Sequence, residues 1–265
     1  MKKIAKWSYS IIVFLFLYAP IAVLIIFSFN SNKSRGKWGG FTLDWYRSLF
    51  QNDYILSALK NTVIIAIVSA VVATILGTFA AVGINMLNKR LKRMLMSVTN
   101  LPVLNPDIVT GVSLLLLFMF LGIKLGYPSL LLAHITFNTP YVILSVMPKL
   151  QALNKHSYEA ALDLGCKPLE AFFKVILPEI MPGVITGFIL AITLSIDDFV
   201  ISFFTTGNGV DTLSIAIYSM ARHGIKPEIN ALSSIMFVVV LSLLIVVNIR
   251  SSKESNQGYG SNKRI

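Results

Sequence analysis

Charge is scarce in this chain of 265 residues: Asp, Glu, Lys and Arg make up 13% of it, where a soluble domain carries about 25%. Apolar residues make up 55% and the mean hydropathy is +0.73, which excludes an ordinary soluble globule and also an intrinsically disordered chain. Acid is scarcer than base, with 12 Asp and Glu against 23 Lys and Arg, a formal net charge of +11. Cysteine is almost absent. The single Cys166 rules out an intramolecular disulfide and any cysteine-based zinc site. No G-x-x-x-x-G-K-[ST] occurs, so the chain has no P-loop to cradle nucleotide phosphates. No Ser/His/Asp or metal-ligand cluster is written into it either. His134, His156 and His223 fall in different segments and read as structural.

What is present is long uncharged runs. Tyr9 to Phe29, Asn61 to Leu87 and Ile229 to Ile249 hold no charge, and Leu125 to Pro148 is interrupted only by His134. Ile108 to Ile123 extends back toward Val98 if Asp107 is accepted inside it. Ile180 to Ile196 meets Asp197 and Asp198 and resumes from Phe199 to Thr206. A helix needs about 20 mostly apolar residues to cross a bilayer, and in hydrocarbon every backbone polar group must be paired internally. The expected fold class is therefore all-α: a polytopic membrane protein with six spans near 9–29, 61–87, 99–122, 128–149, 181–204 and 229–249. These form one transmembrane domain over 1–250, with a loop at 150–178 and a polar tail at 251–265 expected to be disordered. The first run follows Lys2, Lys3 and Lys6 but is longer than a cleaved signal core and lacks a small-x-small site, so it reads as a retained helix.

Six spans put both ends on one side. Lys2, Lys3, Lys6, Lys89, Arg90, Lys92, Arg93, Lys149, Lys155, Lys167, Lys174, Arg250, Lys253, Lys263 and Arg264 all fall on that side. Lys33, Arg35, Lys37, Arg47, Lys60, Lys124, Arg222 and Lys226 fall on the other. The positive-inside rule makes both termini cytoplasmic. Topology thus accounts for most of the basic excess, and no nucleic-acid partner is read from it. Two helices carry small residues on one face: Ala66, Ala70, Ala73, Gly77 and Ala81, and Gly183, Gly187, Ala191 and Ser195. Such faces let helix backbones approach closely in lipid.

The loop between the fourth and fifth spans reads NKHSYEAALDLGCKPLEAFFKVILP. Asn154 or Ser157 can cap a short helix over Tyr158 to Leu164, and Gly165 is suited to a C′ position. Pro168 can open a second helix to Ile176, which Leu177-Pro178 ends. On periodicity alone this knob could dock on a partner or lie on the membrane.

Glu159-Ala160-Ala161, Gly165 and Leu177-Pro178, at this spacing and with Val175 at the usual Ile position, resemble the EAA loop of bacterial ABC importer permeases of the MetI-like type. "FTLDWYRSLF", "NPDIVTGVSLLLLFMFLGI", "HITFNTPYV", "LSIDDFVISFFTTG" and "KPEINAL" extend the likeness over nearly the whole chain, to spermidine/putrescine importer permeases of the PotC type. Iron, sulfate and phosphate permeases share the loop, so those cargoes are the alternative. The resemblance implies a non-catalytic permease in a bacterial inner membrane that forms half of a polyamine pathway. It further implies Glu159, Ala160, Ala161, Gly165, Leu177 and Pro178 as the contact to the ATPase. The implied partners are a second six-helix permease, two copies of a cytoplasmic ABC ATPase, an extracytoplasmic polyamine-binding protein and membrane lipid. ATP and Mg are expected on the ATPase, with no cofactor or metal in this chain. A secondary transporter working without ATP is the competing class.

A path for a polycation needs carboxylates and aromatic faces. Asp107 lies about 14 Å in from Val98 at helical rise, although Asn105-Pro106-Asp107 also reads as N-cap, N1 and N2 of a helix. Asp197 and Asp198 fall in the outer part of the fifth span or at its solvated end. Trp45 and Tyr46 sit in the first external loop and fit an interfacial aromatic belt as well as a stacking site. The external loops carry no negative excess that would steer a cation inward.

Overall fold

The computed structural model describes residues 2–32, 37–222 and 227–261, without the side chains of residues 2–6, 155, 243 and 246–261. Lys33, Arg35, Lys226, Lys263 and Arg264 of the topology argument, and His223, lie outside it. Among the described residues every named element is a helix, and the only β-pairing is an isolated bridge between Asn30 and Phe41. In chain order the elements are α1 (Lys2–Ser28), α2 (Asp44–Phe50), α3 (Asp53–Met86), α4 (Lys89–Leu104), α5 (Asp107–Phe120), α6 (Tyr127–Ala152) and α7 (Lys155–Asp163). Next come α8 (Pro168–Ala171), a π-helical turn (Phe172–Ile176), α9 (Leu177–Asp197), α10 (Val200–Thr205), α11 (Leu213–Arg222) and α12 (Pro227–Ser261).

The core is a three-helix unit of α3, α6 and α9, all mutually packed. Small residues make it possible. Ala66, Ala70, Ala73, Gly77 and Ala81 are all buried on α3, as are Gly183, Gly187, Ala191 and Ser195 on α9. A Cβ at Gly183 would lie 2.8 Å from the Ser145 carbonyl oxygen, and one at Gly187 3.2 Å from the Val142 Cα. The backbones of α9 and α6 therefore approach more closely than side-chain-bearing residues permit. Val142, Val146 and Ile180 fill the seam and are fully buried. α1 packs against α12 and leaves most of its apolar surface exposed, Phe16 at 81% among it.

Three sequence expectations are corrected. The span at 99–122 is two helices, because Asn105 (ψ 144°) and Pro106 (ψ 138°) are extended and α4 and α5 meet at a bend of 105°. A residue before proline is pushed out of the α region, and Pro106 enforces this on Asn105. Asp107 is consequently the first helical residue of α5, with Pro106 rather than Asn105 as N-cap. The span at 181–204 breaks at Asp198, also extended (ψ 124°), before the short α10. Leu177-Pro178 does not stop a helix. The chain is helical from Pro168 to Asp197, and the Leu177 N–H bonds to the Phe172 carbonyl five residues back. Such a π turn shifts the hydrogen-bond register where Pro178 has no N–H to give.

Among the described residues four helices are long and apolar enough to span a bilayer, and α4 with α5 makes a fifth if that bent pair is one crossing. The sixth expected span, 229–249, falls in α12, whose side chains are described only in part. α12 itself runs to Ser261, through residues 251–261 where the sequence suggests a disordered tail.

Candidate functional site

Two regions collect the residues that the sequence singles out. The first is the elbow between α6 and α9. Asn154 caps α7, its side chain accepting the His156 N–H at 3.1 Å, so α7 begins at Lys155, before the expected Tyr158. The Cys166 N–H bonds to the Ala161 carbonyl at 3.1 Å and the Gly165 N–H to the Leu162 carbonyl at 2.9 Å. These are the two bonds of a Schellman C-cap, with Gly165 at C′ and φ +89°. Pro168 opens α8, where Glu170 reaches back to the Lys167 N–H at 3.4 Å. The elbow folds on Ala161 and Ala171, both buried, and leaves Leu164 at 87% and Leu169 at 73% exposure. Glu159 is exposed and lies 3.4 Å from the exposed His156. Ala160 and Pro178 are exposed and Leu177 is half-buried. Ala161 therefore faces inward while its neighbours Ala160 and Leu164 face outward.

The second region is the break between α9 and α10. Asp197 is exposed. Asp198 is not: its side chain is 6% exposed, and its two oxygens accept the Ile201 N–H at 3.1 Å and the Ser202 N–H at 2.7 Å. Adjacent acids thus have different environments. Asp198 satisfies the first amides of α10, and Asp197 is left available. Beside the break, Phe199, Phe203 and Tyr218 form an aromatic cluster, with ring centroids 4.7 Å apart for Phe199–Tyr218, 5.4 Å for Phe199–Phe203 and 6.0 Å for Phe203–Tyr218. Phe203 and Tyr218 are substantially exposed. No local pattern joins them in the sequence, because Tyr218 comes from α11.

Behind the break runs a buried polar network. His134 on α6 is 1% exposed. Its Nδ1 lies 2.6 Å from Ser195 Oγ and its Nε2 3.0 Å from Ser202 Oγ, with Asp198 Oδ2 at 3.6 Å. Ser195 continues to Ser69 Oγ on α3 at 3.3 Å, which accepts from Asn138 Nδ2 at 3.4 Å. The sequence marks His134 only as structural. The signal it does carry is the place of an ionisable residue inside an otherwise uncharged run.

The remaining candidates separate from this region. Asp107 is exposed at the α4–α5 bend. Trp45 and Tyr46 are engaged with the end of α1: Trp45 Nε1 donates to the Asn30 carbonyl at 2.7 Å, and the Tyr46 hydroxyl lies 2.7 Å from Ser28 Oγ while its ring stacks on Phe29. Their polar atoms are already committed. A pocket between α2, α3, α11 and α12 is lined by residues such as Leu49, Ile55, Leu213 and Leu232, which is the wrong chemistry for a polycation. Among the described residues no group of three His, Cys, Asp or Glu is placed to hold a metal ion.

Comparison with known proteins agrees with this architecture. The family described as "Binding-protein-dependent transport system inner membrane component" matches residues 73–251. The spermidine/putrescine transport system permease protein PotC of Escherichia coli (strain K12) is 39% identical over 258 residues, covering 97% of this chain and 98% of that protein. The putrescine transport system permease protein PotI of the same strain is 42% identical over 234 residues, covering 86% and 83%. A crystal structure of a bacterial ABC transporter involved in import of the acidic polysaccharide alginate superposes with TM-score 0.69 at 19% identity, covering 94% of each chain, which supports the fold alone. The helical core built on small residues and the match over most of the chain lead to one statement: this chain belongs to the family of inner membrane components of binding-protein-dependent transport systems, the permeases of ABC importers.

Proposed function

We propose that the chain forms half of the transmembrane pathway of an ATP-driven importer for spermidine or putrescine. The single observation that carries the cargo is the identity of 39% over 258 residues with PotC, a level spread along the chain rather than confined to a shared loop. The chemistry at the α9–α10 break supports it. Asp197 offers an exposed carboxylate, and Phe199, Phe203 and Tyr218 offer ring faces near it. A protonated amine is attracted by both. Asp107 is a second carboxylate of the path at the α4–α5 bend. Trp45 and Tyr46 serve to anchor the first external loop.

In this reading both termini are cytoplasmic, and the elbow of α7 and α8 faces the cytoplasm. Glu159, Ala160, Gly165, Leu164 and Leu169 meet an ABC ATPase, while the buried Ala161 packs inside the elbow and Leu177 and Pro178 carry it into α9. A two-helix elbow joined rigidly to α9 through a π turn transmits displacement, because the chain is helical without interruption from Pro168 to Asp197. ATP-driven closure of two ATPase copies shifts the paired permeases between inward-open and outward-open packings. A second permease completes the pathway and an external binding protein delivers the polyamine.

The test is uptake of radiolabelled spermidine and putrescine into proteoliposomes containing the chain with its partner permease, ATPase and binding protein. Saturable, ATP-dependent accumulation of either polyamine supports the proposal. Accumulation of sulfate, phosphate or iron in place of polyamines would reassign the cargo.

A further inference from the structure

The chain breaks helix between α9 and α10 at one of the candidate path residues, and nothing in the local sequence fixes the direction in which the helix resumes. Asp198 is extended and Phe199 has φ −108°, so the two residues act as a joint. Asp198 caps α10 from within that joint, but a cap bonded only to its own helix does not hold α10 against the rest of the protein.

α10 is held by packing on α5 and α6, with Ile201 fully buried, and by Ser129 Oγ, which donates to the Thr205 carbonyl at 2.7 Å. His134 adds the polar link that spans the break itself. The imidazole lies on α6, outside the broken segment, and its two nitrogens engage opposite sides of the break. Nδ1 meets Ser195 in the last turns of α9 at 2.6 Å, and Nε2 meets Ser202 in the first turn of α10 at 3.0 Å. Both ring nitrogens are satisfied when the ring proton sits on Nε2, facing Ser202 and the Asp198 carboxylate, and the Ser195 hydroxyl donates to Nδ1. All of these side chains are buried, so water does not compete for them. Asp197 lies between Ser195 and Ser202 in sequence, and Phe203 follows Ser202 directly. The orientation that this link helps to fix is the one in which Asp197, the last residue of α9, is exposed beside the break and Phe203 packs against Tyr218.

We infer that His134 is a positioning residue for transport: by bonding Ser195 and Ser202 across the α9–α10 break, it fixes the angle of the joint and hence the presentation of Asp197 to the pathway. The inference rests on the transport reading, but its primary test measures geometry and does not depend on the cargo.

In a background with Cys166→Ser, Asp197→Cys is introduced as a reporter into the complete transporter. Its labelling by a membrane-impermeant, charged thiol reagent is timed with His134 intact, with His134→Ala and with His134→Gln, whose amide keeps a donor and an acceptor. A positioning role predicts a change in labelling rate of at least fivefold for His134→Ala and recovery toward the parent rate for His134→Gln. In parallel, with Asp197 restored, His134→Ala raises the KM for spermidine at least fivefold in complex purified at normal yield. An unchanged labelling rate and unchanged KM in His134→Ala would overturn the inference. If His134→Ala does not assemble, Ser195→Ala and Ser202→Ala each remove one side of the bridge with little change in volume. A labelling change of at least twofold in each then supports the role, and parent-like labelling in both overturns it. Failure of polyamine uptake by the parent transporter, with the labelling changes intact, would strike the cargo assignment alone.

Discussion

Gly77 on α3 and Val142 on α6 stand so close that a Cβ on the glycine would lie 2.7 Å from the valine Cβ and 3.1 Å from the Thr139 carbonyl oxygen. Gly83, farther along the same helix, meets nothing within 4 Å. The two glycines therefore respond oppositely to one methyl group. Gly77→Ala forces α3 and α6 apart and costs about 1–3 kcal/mol, as overpacking does, whereas Gly83→Ala is neutral or stabilising by up to about 1 kcal/mol. Thermal unfolding of the purified complex in detergent reads the difference. Equal loss from both substitutions would contradict the close approach of α3 and α6.

Trp45 ties the loop before α2 to the end of α1 through one hydrogen bond, from Nε1 to the Asn30 carbonyl at 2.7 Å. Trp45→Phe keeps an aromatic face and removes that bond. A destabilisation of about 1 kcal/mol with an unchanged KM for polyamine is expected. An increase in KM at unchanged stability would return Trp45 to the substrate path.

Asp197 and Asp198 differ in what they hold. Asp197→Asn removes an exposed carboxylate and leaves the capping bonds of α10 untouched. The KM for spermidine is expected to rise about tenfold, equivalent to about 1.4 kcal/mol, with an unchanged melting temperature. Asp198→Ala strips the cap from α10 and costs about 1 kcal/mol or more in stability, while Asp198→Asn retains a side-chain acceptor and loses less. Melting curves and uptake kinetics on the parent and these three variants separate the two roles. A fall in stability with Asp197→Asn would contradict the assignment.

Gly165 has φ +89°, and a Cβ added there would meet nothing within 4 Å, so substitution strains the backbone without any clash. Gly165→Val is expected to cost more than Gly165→Asn, since Asn tolerates the left-handed region and a β-branched residue does not. The readout is co-purification of the ATPase with the permease, which should fall in the same order. Equal retention of the ATPase by both variants would separate Gly165 from docking.

The long-range pattern of the fold was legible because lipid imposes simple rules. Uncharged runs mark α1, α3, α6 and α9, and the alanine and glycine stripes mark the faces that are buried on α3 and α9. Gly165 was legible too, as few residues other than glycine close a helix with positive φ. The breaks were harder to see. Pro106 signalled the α4–α5 bend only weakly, since proline also occurs inside α6 at Pro140 and inside α9 at Pro182 without ending either helix. The break at Asp198 has no proline or glycine to mark it. It follows from the side chain capping the next helix and from a histidine that lies 61 residues before Ser195 in the chain. The aromatic cluster was invisible for the same reason: Phe203 and Tyr218 meet only once α10 and α11 are placed in space.

The central claim is that an exposed elbow between α6 and α9 couples a partner's ATP cycle to this membrane-embedded path. Spermidine accumulation in proteoliposomes bearing the complete transporter, with ATP supplied on the ATPase side, tests it most directly. The account predicts accumulation that requires both ATP and the ATPase and that is lost in Gly165→Val. Undiminished accumulation driven by an ion gradient with the ATPase withheld would contradict it.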